Sequence, residues 1–168
     1  MRDTTSRLAT VCRLLNEARV AYVVVGGFAL AFHGVVRATR GVDILIEPTI
    51  DNARRALEAL EGLTWGVSRE LEPSDVAANA LTIIGDEPRV DLLTLAWSVR
   101  YADAAPTIER VEIEGVEIPF PDIDTLIRSK QTDRFQDRAD VENLERVKRL
   151  RQGDTAQDRR SRTAPEMM

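Results

Sequence analysis

The sequence predicts an α/β (α+β) protein in which helices flank a mixed β-sheet and further helices close the C-terminal end. Three observations carry this prediction. Short apolar runs rich in β-branched residues, Tyr22–Val25 and Val42–Ile46, have strand length and end at glycine or proline. Between and after them lie segments with apolar residues at helical spacing. Two later stretches, 81–95 and 108–119, read as hairpins around Gly85-Asp86-Glu87-Pro88 and Glu114-Gly115.

Taken in order, residues 5–18 form the first helix, because Leu8, Val11, Cys12 and Leu15 make one apolar stripe. Cys12 lies on that stripe with no histidine or second cysteine near it in sequence, so it reads as a core thiol and not as a nucleophile. The strand Tyr22–Val25 follows and is broken by Gly26-Gly27, after which FALAFHG is a short helix ending at Gly34. His33, the only histidine, stands at that helix end, where an imidazole bonds a free carbonyl. One histidine is too few for a typical zinc site. A basic loop carrying Arg37 and Arg40 leads into Val42–Ile46, whose one acid is Asp43.

Pro48-Thr49 opens a helix that buries Ala53, Ala56, Leu57 and Leu60 and stops near Gly62. Residues 63–79 are poorly patterned; Trp65, Glu70, Glu72 and Asp75 are candidates for a lid or rim. In the hairpin that follows, strand alternation puts Asp91 on one face with Leu93 and Leu95. Asp122 is a good N-cap for a helix over 123–130, with Lys130 on the face of Leu126 and Ile127. A core-facing lysine needs an anion, and Asp137 and Asp140 stand at i−4 from Val141 and Leu144 on the next helix. Residues 1–150 therefore make one domain, and the polar stretch 151–168 reads as a disordered tail in which Arg159, Arg160 and Arg162 read either as contacts for RNA or an acidic partner or as solvated charge.

A chain of 168 residues with 43% hydrophobic content has enough apolar material for one core. Its net charge of −5 argues against a broad electrostatic nucleic-acid binder, while leaving room for a local basic patch. One cysteine rules out an internal disulfide framework and suits a reducing compartment. No apolar run approaches the roughly 20 residues of a membrane span, and no signal-peptide core is visible, so a cytoplasmic location is expected.

The chemistry concentrates between Gly26 and Asp91. A glycine pair at a helix start offers backbone N–H groups to phosphate. A carboxylate in an apolar strand is costly unless a cation faces it, and both Asp43 and Asp91 are such acids. Together on neighbouring strands they read as ligands to one shared divalent ion; taken singly, each reads equally as a strand-end polar residue. Arg37 and Arg40 read equally as phosphate-gripping guanidiniums or as a solvated loop. Lys130 reads either as a phosphate ligand oriented by Asp137 or Asp140, or as half of a helix-joining ion pair.

Gly26-Gly27, the following spacer, Asp43 and Asp91 together resemble the minimal nucleotidyltransferases of the polymerase-β-like superfamily, particularly the AbiEii-type toxin nucleotidyltransferases. The resemblance covers roughly residues 20–150 and includes the segment LIRSKQTDRFQDRADVENL. It implies a nucleotidyltransferase fold, with Gly26, Gly27, Arg37, Arg40 and Lys130 binding the nucleotide. It further implies Asp43 and Asp91 as catalytic metal ligands, with Asp137 and Asp140 standing behind Lys130. The implied activity is transfer of a nucleotidyl group from an NTP to a tRNA or protein acceptor with Mg²⁺ or Mn²⁺, the implied partner a cognate antitoxin.

The family places an Asp where this chain has Gly41. Glu47 cannot stand in for it, since four strand residues span roughly 13 Å. Gly41→Asp would restore the pattern and is expected to add a carboxylate on the face of Asp43. With the first acid missing, the alternatives are a catalytically inactive nucleotide-binding pseudoenzyme and an antitoxin-like interaction protein.

Overall fold

The computed structural model describes residues 2–162. Helix α1 (Arg2–Glu17) leads into strand β1 (Tyr22–Val25), and helix α2 (Gly26–Phe32) starts without an intervening loop. Strand β2 (Val42–Ile46) and helix α3 (Ile50–Leu60) follow, then a 3₁₀ turn at Val67–Glu70 and the short helix α4 (Pro73–Ala78). Strands β3 (Leu81–Ile84) and β4 (Val90–Leu93) precede helix α5 (Tyr101–Ala104). The hairpin β5 (Glu109–Ile113) and β6 (Val116–Phe120) and helices α6 (Ile123–Ser129) and α7 (Phe135–Arg162) complete the described residues.

The fold is α+β with a mixed sheet. Four strands lie in the order β1-β2-β4-β3, and β5-β6 forms a separate two-stranded sheet. Strand β2 runs antiparallel to β1 and parallel to β4, with Asp43 directly opposite Asp91; β3 runs antiparallel to β4. Because side chains alternate along a strand, this register sorts them into two faces. Tyr22, Val24, Val42, Ile44, Ile46, Ile84, Val90 and Leu92 form the rear face and are buried with the stripes of α1 and α3. Val23, Val25 and Leu45 form part of the front face, covered by Ala96, Val99 and Ala104.

Local signals explain the elements. The side chain of Thr49 accepts from the Asn52 N–H and caps α3, and Asp122 accepts from the Thr125 N–H and caps α6. The turn between β5 and β6 has positive φ at Glu114 and Gly115, the geometry that two-residue hairpins prefer. Asn52, a buried polar residue, exchanges two hydrogen bonds with the Ala21 backbone and donates to Glu47 O. It fastens α3 to the start of β1 and the end of β2.

Cys12 is fully buried on the α1 stripe, and burial pushes its thiol up to about 12, against a smaller downward effect from Tyr22. That is an inert core thiol, as its position in the stripe suggested.

Two stretches differ from the sequence expectation. Within residues 63–79, Val76 of α4 packs into the core, and the turn at 65–67 is held by a distant carboxylate: Asp86, itself buried, accepts from the N–H groups of Trp65 and Val67. Burial alone would raise Asp86, but these and the Glu87 N–H outweigh it and hold its carboxyl below the usual range. Residues 151–162, expected as disordered tail, continue α7 as helix to Arg162. Gln, Arg and Ala are strong helix formers, and they extend a helix already nucleated by the packed residues Val141, Leu144 and Val147. Residues 163–168 of the expected tail lie outside the described residues. Among the described residues, no helix is long and apolar enough to cross a membrane.

Candidate functional site

The front face of the sheet is covered only in part. Beyond Val25 and Leu45 the cover stops, and Asp43, Asp91, Leu93 and Leu81 line an open cavity of about 730 Å³. Its other walls come from Gly26, from Leu95 to Trp97, and from Lys130 to Asp137 at the junction of α6 and α7. A second cavity of about 270 Å³ adjoins it, lined by Gly26, Gly27, Arg37, Arg40, Gly41 and Arg89. The two share Gly26, Asp43, Asp91 and Lys130.

Asp43 is the centre of this arrangement. Its carboxyl is pushed up to about 6, first by burial and then by the charge of Asp91; Lys130 and Arg89 pull it down. Side-by-side carboxylates under partial burial are what an approaching cation would stabilise. Gly26 allows Asp43 to sit there. It has φ of +70°, and a Cβ at Gly26 would lie 1.9 Å from Asp43 Oδ2, so any side chain would displace the carboxylate. Gly27 makes room in the same way for Thr39, whose hydroxyl donates to Gly41 O at 2.7 Å.

Lys130 caps the end of α6 and pairs with Asp137 at 3.4 Å and with Asp140 at 3.5 Å. Asp137 also accepts from the Thr132 hydroxyl at 2.6 Å, and Asp140 accepts from Gln136 at 3.3 Å. Arg37 pairs with Asp140 as well. The ion-pair reading of Lys130 is therefore realised, and Arg37 is bound to a buried carboxylate instead of lying free in a solvated loop. Arg40 is exposed and lines the smaller cavity.

The sequence-nominated residues thus converge. Gly26, Asp43, Asp91 and Lys130 share both cavities; Gly27, Arg37 and Arg40 line one; Asp137 lines the other; Asp140 stands behind Lys130 and lines neither. Trp65, Glu70, Glu72 and Asp75 line neither cavity and form no rim to them. His33 is buried away from the cavities, its Nε2–H donating to Pro121 O at 2.7 Å and its Nδ1 accepting from Arg151 at 3.4 Å.

Two functional candidates escaped sequence reasoning. Arg89 binds Asp91 through two bonds, Nε to Oδ1 at 2.9 Å and Nη2 to Oδ2 at 3.2 Å. Its position two residues before Asp91 on an alternating strand was a usable signal. Trp97 is exposed and holds φ of +56°, an outlier for a bulky residue, and nothing local in the sequence announces it.

Asp43 and Asp91 are the two residues here that could hold a divalent ion. Magnesium is commonly held by one or two carboxylates together with substrate phosphates, and Asp43 with Asp91 meets that need. Among the described residues no three metal-ligating side chains come together. At Gly41, a Cβ would meet Arg89 O at 2.8 Å and Arg89 Cβ and Cγ at 3.2 Å. The expectation that Gly41→Asp restores a working carboxylate is therefore corrected: Arg89, just before β4, approaches too closely for that side chain.

The fold and cavity define an α+β protein with a carboxylate pair set in an open sheet face among cationic side chains. No known family model and no curated protein matches this chain.

Proposed function

We propose that this protein binds a nucleoside triphosphate with one divalent ion, Mg²⁺ or Mn²⁺, and acts as a nucleotidyltransferase toward an RNA or protein acceptor. The observation that supports it best is the register of Asp43 opposite Asp91 where the front face opens, with Gly26 against one carboxylate and Lys130 lining the same cavity. Asp43 and Asp91 would hold the ion, which when bound neutralises phosphate charge and polarises the phosphorus. Arg40 supplies a cation to the triphosphate from the smaller cavity, and Lys130 adds positive charge between the two. Leu81, Ala96 and Trp97 offer the apolar surface on which a planar base stacks.

In the reaction, an acceptor oxygen attacks the α-phosphorus in line, the bond to the β-phosphate oxygen breaks, and pyrophosphate leaves as the acceptor proton passes to water. Positioning and charge supply the catalysis.

A second reading, nucleotide binding without chemistry, is favoured by the Arg89–Asp91 bond, which occupies one of the two carboxylates. Each labelled NTP, with Mg²⁺ or Mn²⁺ and with total RNA and cell protein as acceptors, separates the readings. Label carried to an acceptor by the natural chain and lost in Asp43→Asn supports transfer. Saturable binding without transfer supports the second reading. The absence of both removes the nucleotide from the account. A cytoplasmic setting and a cognate antitoxin belong to the same proposal, and co-purification with a small partner would test the latter.

A further inference from the structure

Gly41 and Arg89 face each other where β2 and β4 begin to pair. The Val42 N–H donates to Arg89 O at 2.9 Å, and the Arg89 side-chain carbons fill the space into which a side chain at position 41 would project. From there the guanidinium turns along its own strand and binds both oxygens of Asp91. We infer that Arg89 takes the place of a second divalent ion: it neutralises Asp91 and turns its remaining N–H groups to the triphosphate, so the site uses one ion at most.

The inference rests on the nucleotide reading above and adds a residue to it. Three features of Arg89 carry it. A guanidinium is charged at every working pH, as an ion would be, and has five N–H donors, of which the Asp91 fork uses two. Its side chain is 45% exposed, so the remaining donors are accessible to a ligand. It lines the same cavity as Arg40, Gly26 and Lys130, which places its charge beside the proposed phosphate path. As a stabilising contact the pair is weak, because an exposed ion pair contributes little to folding. A guanidinium bound to Asp91 must also compete with any ion for that carboxylate.

The test counts ions and measures affinities, using the full chain and its Arg89→Ala and Arg89→Lys variants, with a melt of each to verify folding. Free Mn²⁺ is followed by electron paramagnetic resonance during titration, with and without an α,β-methylene NTP analogue. Without nucleotide, Arg89→Ala should bind Mn²⁺ about 5- to 10-fold more tightly than the natural chain, as expected for removing one nearby charge. With the analogue, the natural chain should take one Mn²⁺, and Arg89→Ala should bind the analogue ~10-fold more weakly, with Arg89→Lys in between. Two Mn²⁺ per natural chain, or an Arg89→Ala affinity for Mn²⁺ equal to or below the natural one, would overturn the inference. A natural chain that takes Mn²⁺ but no analogue would instead remove the nucleotide reading, and with it the phosphate contact of Arg89. The titration without nucleotide would still decide whether the guanidinium competes with the ion.

Discussion

The two faces of the four-stranded sheet are built from the same strands and do opposite work. On the rear, Ile44, Ile46, Val90 and Leu92 are sealed against the helices, at no more than 1% exposure. On the front, the alternate residues Asp43, Asp91 and Leu93 are half-buried, while Leu81 and Ile83 are exposed. A sheet sealed on both faces would be the more stable object. Leaving one corner open places both strand acids in a cavity and leaves Leu81 and Ile83 without cover. The largest expected effect follows directly. Ile44→Ala should lose about 2–5 kcal/mol in a urea melt, whereas Ile83→Ala should stay within roughly 0.5 kcal/mol. Equal losses would break the distinction between the faces.

The next effect concerns the ion-pair cluster under the open corner. Lys130→Ala leaves Asp137 with only the Thr132 hydroxyl, while Asp140 keeps Arg37 and Gln136. A loss of about 1–3 kcal/mol is expected from that partly compensated pair. Calorimetric titration with an NTP beside the melt then measures its second role. If affinity is unchanged, Lys130 joins α6 to α7 and does nothing more.

The sequence carried the elements well and the partnerships poorly. Val42–Ile46 was legible because an apolar run stands between Gly41 and Pro48, and Asp43 was conspicuous as its one charge. Alternation assigns a residue to a face, but it does not say which strand lies alongside, so the Asp43–Asp91 register needed the fold. The α6 cap and the burial of Lys130 were readable from local spacing. The turn at 65–67 was not, because it depends on Asp86, about twenty residues away in sequence. Arg89 was missed for a related reason. Its meaning comes from Gly41 across the sheet, where a missing side chain and a neighbouring one share a single space.

A pH series sharpens the contrast between the faces. The Asp43 carboxyl rises from the usual 3.8 to about 6 in the folded chain, so between those values the native state holds more protons than the unfolded one. Stability therefore falls as pH rises through that window. Asp91 adds to the rise, and Lys130 and Arg89 oppose it. Asp43→Asn removes the buried charge: its advantage over the natural chain should be small near pH 4 and grow to the order of 1–3 kcal/mol at pH 7.5. A pH-independent difference would show that Asp43 is better solvated than its position implies.

The smallest effect is expected at Trp97, on the apolar side of the open corner. Ala96 and Val99 exchange two backbone hydrogen bonds, at 2.9 and 3.0 Å, closing a two-residue turn with Trp97 in the left-handed region. That conformation costs a side-chain-bearing residue about 1–2 kcal/mol, while glycine adopts it freely. An exposed indole recovers little of this by packing. Trp97→Gly should therefore leave stability unchanged or raise it by up to about 1 kcal/mol, part of the relief being offset by the greater freedom of glycine in the unfolded chain. If the indole is the platform for a base, the same variant should bind NTP ~10-fold more weakly, in line with roughly 1–3 kcal/mol for a base stacked on an aromatic ring. Tripolyphosphate, which has no base, should bind both chains alike. Equal NTP affinity in the two would limit the ligand to the carboxylates and cations, and Leu81, Ala96 and Trp97 would then be bare surface.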